Sequence, residues 1–125
     1  MEIIVSKEAP AAMGPYSHAI VAGGTVYASG QTPILPETGE LIEGDIKVQT
    51  RQVIQNVKAV LVSAGSDLDH VVKTTCFLTD MGDFAAFNEV YAEFFTVKPA
   101  RSTVAVRALP KGASVEIEAI AEVIR

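Results

Sequence analysis

Apolar residues fall at helical spacing across residues 45–64, where Ile46, Val53, Val57, Val60, Leu61 and Ala64 share one stripe. Asp45 supplies an N-cap and Gly65 a stop, so a helix is predicted there. A second stripe, Phe84, Phe87, Tyr91, Phe94 and Phe95, begins behind the acidic pair Asp80 and Asp83 and ends before Pro99. Aromatic residues at this spacing read as core rather than as a ligand box. Between the two helices, residues 70–78 are β-branched and aromatic and predict a central strand. Residues 17–22 and 25–29 flank Gly23-Gly24, a hairpin signal, and residues 3–5 add a short strand. Pro33, Pro36, Gly39 and Gly44 punctuate a loop, with a turn at 36–39. Because it follows Ser29-Gly30 directly, that loop is expected to wall a site.

Beyond Pro99, residues 99–107 and 115–121 read as two strands joined by a turn through Leu109-Pro110-Lys111-Gly112. The order β-β-β-α-β-α-β-β then predicts an α+β fold, both helices covering one face of one mixed sheet. In the last strand Val115, Ile117 and Ala119 point one way and Glu116, Glu118 and Ile120 the other. A face carrying both acids and aliphatics suits a wet subunit interface better than solvent or a monomer core.

The same two strands bring Arg101 into one sheet with Glu116 and Glu118. An arginine fork recognises a carboxylate bidentately, and a nearby carboxylate can orient or deprotonate water, which suggests hydrolysis of a small anion. Taken alone these residues fit a solvated cross-strand pair as well, and such pairs are the commoner outcome. Arg107, six residues on, reads as a surface or interface charge.

Composition narrows the partners. With 125 residues, 49% hydrophobic, the chain suits one domain spanning 1–125. Its net charge of -5 makes nucleic acid a poor default partner. Short apolar runs and an N-terminus without a signal or transit pattern favour the cytoplasm and no membrane. Cys76 is the sole cysteine and sits among β-prone residues, so it reads as a buried inert thiol. His18 and His70 lack ligand spacing with each other or with Cys76, so no metal site is expected.

Four blocks resemble one family in order. They are residues 9–17 (Ala-Pro-Ala-Ala-Met-Gly-Pro-Tyr-Ser), 28–33 (Ala-Ser-Gly-Gln-Thr-Pro), 71–80 (Val-Val-Lys-Thr-Thr-Cys-Phe-Leu-Thr-Asp) and the stretch from Pro99-Ala100-Arg101-Ser102 to Ala121. Spanning almost the whole chain, they resemble the RidA/YjgF family of reactive-intermediate (enamine/imine) deaminases. The resemblance implies a chorismate-mutase-like RidA fold with a six-stranded sheet, assembled as a homotrimeric barrel with sites between subunits. It also implies hydrolysis of 2-aminoacrylate or 2-aminocrotonate, through their 2-imino acid tautomers, to 2-oxo acids and ammonia without any cofactor.

By the same resemblance Arg101 would bind the substrate carboxylate and Glu116 would position the hydrolytic water. Tyr16, Ser29, Gly30, Asn88 and Thr103 would complete the substrate site, and Glu118 would join an interfacial salt bridge. Thr103 departs from the cysteine many relatives carry, and a role through its backbone N–H would tolerate that change. A non-catalytic small-carboxylate sensor would need Arg101 but not Glu116. RNA cleavage and a holdase-type chaperone role, both proposed within the family, are the remaining alternatives.

Overall fold

A computed structural model of the chain describes residues 1–124. Six strands form one sheet: β1 (Glu2–Ile4), β2 (Ala19–Ala22), β3 (Thr25–Gln31), β4 (Val71–Leu78), β5 (Ala100–Ala105) and β6 (Val115–Glu122). Two helices, α1 (Ile46–Ser63) and α2 (Phe84–Phe94), cover one of its faces. The strand order is β1-β2-β3-β6-β4-β5, antiparallel except where β5 runs parallel to β4.

The capping signals act where the sequence places them. Asp45 Oδ1 accepts the Val48 N–H at 3.0 Å at the start of α1. At its end Gly65 turns to φ +82 and the Ser66 N–H donates back to Leu61 O at 2.8 Å. The expected strand at 70–78 begins one residue later, because Leu68–His70 closes a 3-10 turn capped by Asp67.

One expectation fails. The strands carrying Arg101 and Glu116 are not joined as a hairpin pair; β4 lies between them. The burial patterns give the reason. β6 alternates Val115, Ile117, Ala119 and Ala121, all at most 2% exposed, and so takes a central place. β5 buries none of its six residues fully and takes the edge. α2 serves as the crossover that a parallel β4–β5 pair requires. The strand also stops at Ala105, leaving Arg107 outside it.

The core lies between sheet and helices, with Val53, Ile54, Val57, Val60 and Leu61 of α1 packed over Val26, Leu78, Val115 and Ile117. Among the described residues no element covers the opposite sheet face. Ile3, Tyr27 and Val104 remain 59%, 50% and 45% exposed there, beside Glu116, Glu118 and Ile120 of β6. Among the described residues no helix is long and apolar enough to cross a membrane.

Candidate active site

At the end of β3 the pairing with β6 slips between Ala28 and Gln31, so Ser29 and Gly30 lie in an irregular stretch. A Cβ added at Gly30 would collide with the Glu116 carboxylate, which lies across that glycine. Burial, and then the neighbouring Glu118 charge, raise the Glu116 pKa above the ordinary carboxylate value. No hydrogen bond from the described residues reaches this carboxylate to oppose that shift.

The rest of this cleft, about 420 Å³ in volume, is walled by Ala11, Met13, Tyr16, Ile34 and Lys111. Its walls are tied in place by buried polar groups. The ring of His18, 3% exposed, accepts the Ser6 N–H at Nδ1 (2.8 Å) and donates from Nε2 to Pro10 O (2.7 Å). Those two bonds hold the strap that leads to Tyr16. Ser29 Oγ donates to Ser17 O at 2.7 Å, so its proton is committed to the same strap and only its lone pairs face elsewhere. Asn56 of α1, 1% exposed, donates to Thr32 O and Ile34 O at 3.0 and 2.8 Å, fixing the wall loop foreseen from its prolines and glycines. Lys111 Nζ donates to Gly39 O at 2.7 Å and ties that loop to the turn before β6.

Arg101 belongs to a different recess. Its Nη1 donates to Asn88 Oδ1 at 2.8 Å, and its guanidinium lies 4.8 Å from the Tyr91 ring centre, 5.5 Å from Phe84 and 5.8 Å from Phe87. Among the described residues no carboxylate pairs with it. A half-buried arginine held by an amide and three rings, with its remaining donors unspent, is poised for an anion. Lys98 and Pro99 line the same recess.

Thr103 follows on the same face of β5. Val106 N–H donates to Leu78 O at 2.8 Å; alternation back along the strand turns the N–H groups of Thr103 and Arg101 to the open edge. The Thr103 hydroxyl oxygen is buried and has no partner among the described residues. Cys76, its register partner on β4, is 0% exposed, and burial pushes its thiol pKa up to about 11.

Register settles how the two recesses relate. Thr74 of β4 faces both Arg101 and Ala119, while Phe77 faces Glu116. Register partners share a face and neighbours alternate, so Arg101 lies on the helix-covered side and Glu116 on the open side. The structure therefore groups Tyr16, Ser29, Gly30 and Glu116 in one cleft, and Asn88 and Arg101 in another recess, with Thr103 two residues along the strand from Arg101 but outside the recess lining. Within one chain the two groups face apart.

Lys98 and Lys111 escaped sequence reasoning. Among the described residues they are the two non-glycine residues at positive φ, +55° and +58°, and each lines one of the recesses. The available signal was positional, a lysine before Pro99 and another inside Pro110-Lys111-Gly112. The aromatic stripe does more than the core packing its spacing predicts, since Phe84, Phe87 and Tyr91 are also a bed for Arg101.

Residues 6–123 match the family model described as Endoribonuclease L-PSP. The chain is 46% identical over 121 residues to Reactive Intermediate Deaminase A, chloroplastic, of Arabidopsis thaliana, covering 96% of this chain and 65% of that one. A crystal structure of the conserved Rid family protein YyfA from Yersinia pestis superposes with TM-score 0.94 at 55% identity, covering 98% of each chain. Escherichia coli TdcF, solved with bound serine, superposes with TM-score 0.93 at 44% identity, again covering 98% of each chain.

Proposed function

The chain belongs to the YjgF/RidA family, and from that premise we propose that it hydrolyses reactive 2-imino acids, the tautomers of 2-aminoacrylate and 2-aminocrotonate, to 2-oxo acids and ammonia. The observation that carries this reading is the division of labour across the sheet. An arginine with unspent donors waits on one side, and a carboxylate with a raised pKa waits on the other. Two faces of one sheet cannot enclose one small molecule, so the working site joins the Arg101 recess of one copy to the Glu116 cleft of a neighbour. The uncovered face with Ile3, Tyr27 and Val104 supplies a surface for that assembly. A homotrimer is the proposed form, and light scattering should report about three times the 13.2 kDa chain mass.

In this site Arg101 clamps the substrate carboxylate in its fork, and the outward N–H of Thr103 lies next along the strand edge. Glu116 of the neighbouring copy holds a water against the imine carbon and accepts its proton as the C–O bond forms and the C=N π pair moves to nitrogen. Returning that proton to nitrogen completes the carbinolamine; Glu116 then takes the hydroxyl proton and passes it to the amine nitrogen as C=O forms and the C–N bond breaks, releasing ammonia. A raised carboxylate pKa suits a group that must both take and return a proton near neutrality. Imines hydrolyse unaided, so positioning and one acid–base group are sufficient, typically contributing about 10²- to 10⁴-fold. The test is a coupled assay in which a serine or threonine dehydratase generates the imine and 2-oxo acid formation is followed with and without this protein. No acceleration would overturn the reading.

A second reading, a sensor of small carboxylates, draws support from the serine bound to TdcF. It needs Arg101 and makes no use of a raised Glu116. Glu116→Gln separates the two, because a sensor keeps its affinity whereas a hydrolase loses turnover.

A further inference from the structure

The hydroxyl of Tyr91 is bonded within the fold. It shares a 2.7 Å hydrogen bond with Thr74 Oγ1 inside the covered face, and Thr74 is the register partner of Arg101 on β4. Tyr91 is thereby tied to the strand beside the arginine whose guanidinium it underlies. Its ring is the nearest of the three to the guanidinium, at 4.8 Å, and it stacks on Phe95 at 4.4 Å with 27° between planes. Asn88, which holds Nη1, lies three residues earlier on α2, on the same helix face. One helical turn therefore presents an amide to Nη1 and a ring beneath the guanidinium carbon.

Hydrophobic packing alone would hold a phenylalanine in this place, without the cost of burying a hydroxyl. The Thr74 tether adds something packing does not. It fixes the ring relative to β4, and hence to β5, rather than to α2 alone. Arginine is a long rotor, and a small carboxylate needs its fork in one plane. We infer that Tyr91, locked by Thr74, is a positioning residue that sets the plane of the Arg101 fork before substrate arrives. This inference rests on the carboxylate-clamp reading of Arg101 and adds to it the device that makes the clamp rigid.

The test compares wild type with Tyr91→Phe, Tyr91→Leu and Thr74→Val. Val90→Ala serves as control, a buried residue of the same helix outside the aromatic set around the guanidinium. The probes are 2-oxobutanoate affinity by calorimetry, the KM and kcat of imine hydrolysis, and the Arg101 Nε–H resonance in ligand-free protein. Tyr91→Leu should weaken 2-oxobutanoate binding about 5- to 30-fold, and Tyr91→Phe and Thr74→Val about 2- to 5-fold. In each the ring-current shift of the Arg101 Nε–H should shrink and KM should rise more than kcat falls. Val90→Ala should lower the melting temperature while leaving the resonance and the affinity alone. If Tyr91→Leu keeps both the wild-type resonance and the wild-type affinity, Tyr91 is core packing and the inference is wrong. Should wild type bind no 2-oxobutanoate, the clamp reading falls, and an unmoved Arg101 resonance in Tyr91→Leu would still overturn the inference by itself.

Discussion

In the recess between β5 and α2 the charged group is held before any ligand arrives, with Asn88 on one edge of the Arg101 guanidinium and three rings against it. In the cleft between β3 and β6 the charged group is left without hydrogen-bond partners from the described residues. The Glu116 carboxylate lies over Gly30 with its proton affinity raised by burial and by Glu118. Under the proposed function this difference has a use. A clamp gains from rigidity because the anion supplies its missing partners, whereas an acid–base group gains from an unsatisfied carboxylate whose pKa lies closer to neutrality. Both kinds of site cost stability, since half-buried charge without an ion-pair partner is unfavourable.

The contrast is broken most sharply at Glu116. Glu116→Gln should lower imine hydrolysis about 10²- to 10⁴-fold in the coupled assay while 2-oxobutanoate still binds at Arg101. The sign of its effect on stability is opposite to that on activity. Folded Glu116 keeps its proton to higher pH than the unfolded chain does, so the protein loses stability as pH rises from the ordinary carboxylate range through the raised pKa. At neutral pH Glu116→Gln removes that penalty, so its melting temperature should equal or exceed that of wild type. In wild type, activity should fall on the acid side with a midpoint above the ordinary carboxylate value, and this limb should vanish in Glu116→Gln.

Arg101→Lys comes next. Lysine keeps the charge and loses the fork, so it should fail nearly as badly as Arg101→Ala, by about 10²- to 10³-fold in kcat/KM, with the assembly intact by light scattering. Gly30→Ala acts on the other recess and should be milder. A methyl group displaces the Glu116 carboxylate, so turnover should drop about 10-fold with 2-oxobutanoate affinity little changed, because the ligand carboxylate is clamped by Arg101 of the neighbouring copy. Cys76→Ala marks the lower end, costing on the order of 1 kcal/mol in denaturant unfolding and leaving turnover at the wild-type level.

Most of the fold was legible because its signals are local. The stripe of α1 with Asp45 and Gly65 at its ends, the Gly23-Gly24 hairpin and the alternation of β6 each report their own surroundings, and the structure agrees with them to within a residue or two. The neighbour of β5 was not legible as a hairpin partner. A strand of Ala, Arg, Ser, Thr and Val states that it is exposed, but not which strand it joins, and that choice depends on α2 folding back as a crossover. The candidate site could be named from the sequence as residues and not as a geometry. The even spacing of Glu116 and Glu118 placed them on one face, yet nothing in a strand's own alternation relates its parity to that of a strand two places away. The placements of Lys98, Lys111 and Tyr91 were hidden for a similar reason. Each depends on a backbone conformation or on a partner far off in sequence.

The most direct test of a site shared between copies mixes two dead variants. Arg101→Ala and Glu116→Gln, each inactive alone, are co-refolded in equal amounts so that their subunits assort at random. In a cyclic trimer, each mixed assembly carries one interface where an intact Arg101 meets an intact Glu116, so the mixture should recover about a quarter of wild-type turnover. A mixture as inactive as its components, with mixed assemblies verified by mass, would contradict an intersubunit site and return both residues to a single chain.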